Sequence, residues 1–287
     1  MKTDFPQITI LGAGLLGGSL ALALAELENP PQVRLWARKQ ETVDDAIKLG
    51  ISNVTGDLAE AVRDANLVIL AVPVGSMADL VKASLEAGLP EGCVVTDVGS
   101  VKRVPHRKIG PLLKGSGIRF IGSHPMAGSE RNGLSAVTSK LFHNAACLLT
   151  NDDGAPAEQT AAVERFWKTI GCRTSWMSAS IHDELVARIS HLPHIIAASA
   201  ARVCLKDPSE GKFGGGGLRD TTRVAAGNPT MWAEIVIENR EALTGLLRES
   251  IEDLREILAS LENANQEQAR KWLVTAKQRR DPLNSHL

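Results

Sequence analysis

Tyrosine is absent from the 287 residues. That excludes any mechanism resting on a tyrosine acid, the Tyr–Lys pair of short-chain dehydrogenases included. Cysteine is scarce and dispersed: Cys93, Cys147, Cys172 and Cys204 form no C-x-x-C pair. A zinc-binding or redox motif is therefore not expected, nor is a disulfide framework in a chain of this length. No apolar run approaches the ~20 residues that cross a bilayer. The opening MKTDFPQ lacks the apolar core of a secretory signal, so a cytoplasmic, reducing location is expected. There is no charge surplus either. With 32 Lys and Arg against 33 Asp and Glu, the net charge is −1, which removes the simplest argument for a nucleic-acid or membrane partner.

What remains is a globular composition, 44% hydrophobic and 23% charged, at a length that suits two domains. In the first half, short buried-type runs at Ile8–Leu11, Val33–Ala37, Leu67–Val72, Val94–Val98, Ile118–Ile121 and Ala146–Leu149 read as strands. Helical patterns at Leu15–Leu27, Thr42–Leu49, Leu58–Val62, Gly75–Leu85 and Pro105–Leu113 lie between them. This alternation predicts an α/β, Rossmann-like doubly wound sheet over residues 1–175. From Ile181 to Leu261 helical periodicity dominates, predicting an all-α domain over 176–287 whose last twenty or so residues, rich in Gln, Lys and Arg, read as a solvated helix fraying into a tail. Leu247, Ile251, Leu254, Leu258 and Leu261 repeat at 4-3-4-3. That stripe is a core face or a dimer seam, and the small size of the helical domain favours a homodimer through it.

Gly12-Ala13-Gly14-Leu15-Leu16-Gly17 follows the first strand and opens the first helix. In that context G-x-G-x-x-G predicts dinucleotide binding, with glycines for the tight turn, the approach of a pyrophosphate and close helix–sheet packing. The second strand ends in Ala37-Arg38-Lys39 instead of the carboxylate that bonds the ribose of NAD. A guanidinium there pairs with a 2′-phosphate, so NADP is the favoured cofactor and NAD the second choice. Val72-Pro73 would wall the ribose or nicotinamide at a strand end. Two further strand-end loops carry chemistry-bearing side chains. Ser100 lies in Asp97-Val-Gly-Ser-Val-Lys102, and His124 lies between glycine and proline in Gly122-Ser-His-Pro-Met-Ala-Gly128-Ser-Glu130.

Together these motifs resemble the prephenate/arogenate dehydrogenase family. His182-Asp183, Ser190-His191-Leu-Pro-His194, Gly216-Gly217-Leu-Arg219-Asp220-Thr-Thr-Arg223 and Asn228-Pro-Thr-Met-Trp232 follow in the family's order, and the likeness covers roughly residues 7–260. It implies NAD(P)-linked oxidative decarboxylation of a cyclohexadienyl acid on the tyrosine pathway. His124 would polarise the ring C4 hydroxyl or take its proton, with Ser100 orienting His124. Arg223 would clamp a substrate carboxylate, His194 would bond the side chain, and Glu130 would gate the site. Trp232 would wall the pocket, and Gly216 would reach a neighbouring subunit's site. Arogenate, or both substrates, is favoured slightly over prephenate alone. No metal is expected, because Pro193 distorts the spacing of His191 and His194 and no cysteine joins them. The competing readings are a β-hydroxyacid-type dehydrogenase, which would need a catalytic lysine in the helical domain, and a non-catalytic NADP-binding sensor.

Overall fold

The computed structural model describes residues 3–127 and 133–285; Glu130 lies outside them. The chain forms two compact units, Met1–Arg240 and Glu241–Leu287. The first begins β1 (Gln7–Leu11), α1 (Leu15–Ala25), β2 (Gln32–Trp36), α2 (Gln40–Lys48), β3 (Val54–Thr55), α3 (Leu58–Val62), β4 (Leu67–Leu70) and α4 (Val74–Glu86). It continues through β5 (Val94–Asp97), α5 (Arg103–Leu113), β6 (Arg119–Pro125), β7 (Ala146–Thr150), α6 (Ala157–Thr169) and β8 (Arg173–Trp176). The remaining helices are α7 (Ala179–Val186), α8 (Leu192–Cys204), α9 (Gly216–Thr222), α10 (Pro229–Glu238), α11 (Arg240–Glu262) and α12 (Gln266–Arg280).

The eight strands form one sheet in the order β3-β2-β1-β4-β5-β6-β7-β8. Pairing is parallel from β3 to β6, antiparallel between β6 and β7, and parallel again between β7 and β8. Strand order reverses between β1 and β4, so the ligand crevice of such a sheet opens at their carboxyl ends. Apolar side chains cover both faces. Ile8, Ile10, Leu20, Leu24, Phe166 and Trp167 pack in one core, and Leu11, Leu70, Val81, Ile109 and Phe120 in the other.

Four elements depart from the expected pattern. Strand β3, Val54–Thr55, is a two-residue edge strand, too short to leave a run. Helix α6 was not anticipated, although Val163, Phe166, Trp167 and Ile170 mark its buried face at helical spacing. Strand β8, Arg-Thr-Ser-Trp, is an edge strand with a largely exposed, polar sequence and so offers no apolar run to detect. Between α7 and α8 the helix does not stop: Ala187–His191 form a π turn. Pro193 has no N–H to give the Ile189 carbonyl four residues back, and its ring crowds that carbonyl, so a straight α-helical ladder cannot pass. Among the described residues no helix is long and apolar enough to cross a membrane.

Candidate active site

The glycine loop sits at the switch point. Gly12 has φ +122°, and a Cβ there would run into the Ala71 carbonyl; its amide donates to the Trp36 carbonyl at 3.0 Å. A Cβ on Gly17 would strike the Gly12 carbonyl, whereas the space beyond Gly14 is open. Gly14 caps α1 without a side chain, and no acid lies in the first turn at Leu15 and Leu16. The helix therefore presents bare amides and its positive end toward open space, which fits a pyrophosphate. Ala37, at the end of β2, is buried, while Arg38 and Lys39 are exposed. Val72 and Pro73 follow β4 on the far side of the loop.

Strands β5 and β6, next in the sheet, are locked together at the same edge. Asp97 accepts hydrogen bonds from the Ser123 amide (3.0 Å), the Gly99 amide (2.9 Å) and the Lys102 ammonium (2.6 Å). Lys102 is fully buried and also donates to the carbonyls of Gly99 and Val101. The Ser123 hydroxyl accepts from the Trp167 indole at 2.9 Å and lies 2.7 Å from Thr96 Oγ1. The backbone on both sides of His124 is thus held by β7 pairing and by this ion pair.

His124 Nδ1 lies 2.9 Å from His182 Nε2, and His182 Nδ1 lies 2.8 Å from Asp183 Oδ1. The same carboxylate accepts from the amides of Lys102 (2.7 Å) and Arg103 (3.0 Å). Asn239 donates to the Asp183 carbonyl and to His191 Nδ1, both at 2.9 Å. Burial, with His182 and Lys102 beside it, holds His124 well below the usual imidazole range. Burial likewise lowers His182, against the pull of Asp183, and pushes His191 down to about 4. Burial works against ionising Asp183, but the bonds from His182 and the two amides outweigh it and keep it a carboxylate.

The π turn and α8 bring up a second pair of rings. His194 stacks on Trp232 at 3.5 Å with planes 10° apart, and its buried Nδ1 has no hydrogen-bond partner among the described residues. A Cβ on Gly227 would collide with the Trp232 indole, so the stack depends on that glycine. Arg223 opens a short 3-10 turn, Arg223–Ala226, packed on α8. Its guanidinium is exposed and makes no ion pair among the described residues. Gly216 starts α9 and is exposed.

The structure therefore brings His194 and Trp232 together, sets Arg223 on the turn packed against α8, and joins His124 to the helical segment through His182. Ser100 is half-buried, and among the described residues no hydrogen bond joins it to His124; the His124 Nδ1 is held by His182. Sequence reasoning gave no role to His182, Asp183, Lys102, Asn239 or Gly227. The only forward signal was the His-Asp dipeptide in the first turns of a helix.

The buried histidines carry a stability prediction. The unfolded chain takes up these protons near pH 6.5, and the folded chain only further down. Stability is therefore complete above 6.5 and declines as pH falls through that interval. For His191, moved from 6.5 to about 4, the loss amounts to about 3 kcal/mol at roughly 1.36 kcal/mol per pKa unit. Urea midpoints taken between pH 4.5 and 7.5 should fall steadily on the acid side; a flat profile would contradict the burial of neutral rings.

Comparison with known proteins agrees with this layout. Residues 20–176 match the family model described as prephenate dehydrogenase, nucleotide-binding domain, and residues 178–275 the one described as prephenate dehydrogenase, dimerization domain. The cyclohexadienyl dehydrogenase of Zymomonas mobilis is 36% identical over 265 residues, 90% of this chain and 89% of that protein. The prephenate dehydrogenase of Bacillus subtilis is 32% identical, over 96% of this chain and 76% of its own length. The crystal structure of Aquifex aeolicus prephenate dehydrogenase in complex with hydroxyphenyl propionate and NAD+ superposes with a TM-score of 0.87. It is 26% identical, and the match covers 99% of this chain and 100% of that one. Synechocystis arogenate dehydrogenase gives 0.78 at 27% identity, over 96% of this chain and 99% of that one. A glycine-cradled nucleotide crevice, a histidine anchored at the same sheet edge and matches along nearly the whole chain place this protein in the prephenate dehydrogenase family, as an oxidoreductase acting on a cyclohexadienyl acid of the prephenate–arogenate kind with a nicotinamide cofactor.

Proposed function

We propose that the protein oxidatively decarboxylates arogenate, prephenate or both, with NADP preferred over NAD. The observation that carries the reaction is His124: a buried, neutral imidazole at the carboxyl end of β6, held through Nδ1 and beside the nucleotide crevice. Gly12, Gly14, Leu15, Leu16 and Gly17 would hold the pyrophosphate on the amides of α1, and Val72 and Pro73 would border the nicotinamide side. When bound, the nicotinamide supplies the acceptor for the hydride of ring C4. His124 takes the proton of the C4 hydroxyl, and loss of the ring carboxylate as CO2 is driven by aromatisation, so no protein acid is required for it. Arg223, which makes no ion pair among the described residues, would bind a substrate carboxylate. His194 keeps an unspent polar atom for the substrate side chain, and Trp232 gives its pocket an apolar wall. Glu130 and Gly216 complete the proposed set, as gate and as a contact with a neighbouring subunit.

The cofactor preference rests on Ala37, where no carboxylate repels a 2′-phosphate, and on Arg38 and Lys39 exposed next to it. The test is kcat/KM for each substrate with each cofactor, followed by fluorescence of the reduced nucleotide. Arg38→Ala should raise the KM for NADP about tenfold or more, the equivalent of roughly 1.4 kcal/mol for a charge-assisted contact, with little change for NAD. Equal efficiency with both cofactors in the unsubstituted protein would overturn the preference, and turnover of neither substrate would overturn the function. A hundredfold advantage for prephenate would remove arogenate from the reading.

A homodimer is part of the same proposal. Ile251, Leu254, Leu258 and Leu261 lie exposed along α11, within the stretch matched by the dimerization-domain model. A second copy of the chain would cover that stripe, and sedimentation equilibrium showing only monomer would refute it. Four free thiols support the cytoplasmic reading, where such groups stay reduced.

A further inference from the structure

We propose that His182 and Asp183 are positioning residues that fix the tautomer of His124, placing its one proton on Nδ1 and leaving Nε2 a bare acceptor for the substrate hydroxyl. The inference rests on the reading of His124 as the group that takes that proton.

The assignment follows from counting protons along a three-membered chain. Asp183 is an ionised carboxylate and can only accept. It receives the amides of Lys102 and Arg103 at the start of α5, where the helix dipole also favours negative charge. The hydrogen between Asp183 Oδ1 and His182 Nδ1, 2.8 Å apart, must therefore sit on His182. A neutral imidazole has a single N–H, so His182 Nε2 carries none. At 2.9 Å from His124 Nδ1, that bare nitrogen can only accept, and the hydrogen of the second bond belongs to His124 Nδ1. His124 is neutral too, which leaves its Nε2 without a proton. The buried ammonium of Lys102 acts in the same direction by disfavouring a second proton on either ring. When His124 takes up a substrate proton, its Nδ1–H still points at an acceptor that is itself backed by a carboxylate. The charge so formed is spread over hydrogen bonds already in place.

The anchoring is stiff where it matters. The Asp183 side chain is pinned by two amides from α5, and its carbonyl by Asn239 from the end of α10. The relay spans β6, α7 and α5, so a displaced helix would register at His124 as a changed proton position as well as a moved ring.

Nitrogen-15 spectra of histidine-labelled free protein test this without any turnover. His124 should show a protonated Nδ1 and an unprotonated Nε2 near pH 7. His182→Phe, which keeps an aromatic volume but removes the acceptor, should give a mixture of His124 tautomers. Its kcat should fall about tenfold or more, with the KM and the NADP dissociation constant unchanged. His182→Gln offers a carbonyl oxygen to the same N–H and should restore both the tautomer and much of kcat. An Nε2–H tautomer in the unsubstituted protein overturns the proposal whatever the activity. Equal loss in the two variants with an unaltered tautomer assigns His182 a purely structural role and overturns it as well. An Nδ1–H His124 in a chain that turns over neither substrate would leave the tautomer assignment standing and remove the reading of the reaction instead.

Discussion

His124→Asn is expected to lower kcat by about two to four orders of magnitude while NADP binds as before. The asparagine amide can occupy the place of the imidazole Nδ1–H and donate to His182, so the strand end and the His182–Asp183 pair need not move. What is lost is the ring nitrogen on the far side, the only atom of the residue able to receive a proton. In the proposed site the nucleotide is held elsewhere, by the amides of α1 and the cations after β2, and the contacts proposed for Arg223 and His194 are untouched. The loss should therefore fall on kcat and spare KM, the pattern of an interaction made mainly in the transition state. Steady-state kinetics and a nucleotide fluorescence titration check both halves. Turnover within tenfold of the unsubstituted protein would take the proton from His124 and require another acceptor.

Lys102→Met is the substitution expected to cost most in stability, about 3–5 kcal/mol. Methionine matches the length of the stem but leaves the Asp97 carboxylate fully buried with only two amides as partners. It also strips the carbonyls of Gly99 and Val101 of their ammonium donor. Desolvating a charge without its counterion is the dominant penalty, so Asp97→Asn in the same chain should recover much of the loss. Urea denaturation of the two single variants and the double variant closes the cycle. A single-variant loss below about 1 kcal/mol would show that water reaches Asp97, contrary to its burial. The pair is a clamp as well as a charge balance: Asp97 holds the amide of Ser123, next to His124, so the double variant should regain stability sooner than activity.

Legibility in the sequence followed the range of the interaction. Strands β1, β2, β4, β5, β6 and β7 announce themselves as short apolar runs because both faces of the sheet are covered. The glycine loop could be read because its requirement is local: φ +122° at Gly12 and no room for a Cβ at Gly17. His124 stood out because glycine and proline flank it at a strand end. The partner of His124 could not be read that way. His182 lies 58 positions further on, and nothing in Ile-His-Asp-Glu says which ring it will meet. The motif Asp97-Val-Gly-Ser-Val-Lys102 directed attention to its serine, the residue of the set that could face a ligand. Its two charged ends are buried against each other, a pairing whose meaning appears only once β5 and β6 lie side by side. Edge strand β8 escapes notice for the opposite reason: a half-buried Thr174 and an exposed Ser175 satisfy the sheet without leaving an apolar trace.

The π turn at Ala187–His191 has a consequence for the azimuth of the side chains beyond it. An α-helix advances about 100° per residue, so the twelve positions from His182 to His194 would leave the two rings about 120° apart around an unbroken axis. A single π turn absorbs about one residue and closes that angle to about 20°. The helix can then present His182 to the sheet edge and His194 to the same side, about three turns further along its length. Pro193 thus acts as a phase setter. Straightening the ladder at its present length, as Pro193→Ala would permit, would carry His194 and its stack on Trp232 about 100° away from the histidine relay while leaving every functional residue in the chain. Deleting one residue from Ala187–Ser190 as well would leave eleven α-helical steps and bring the angle back to about 20°.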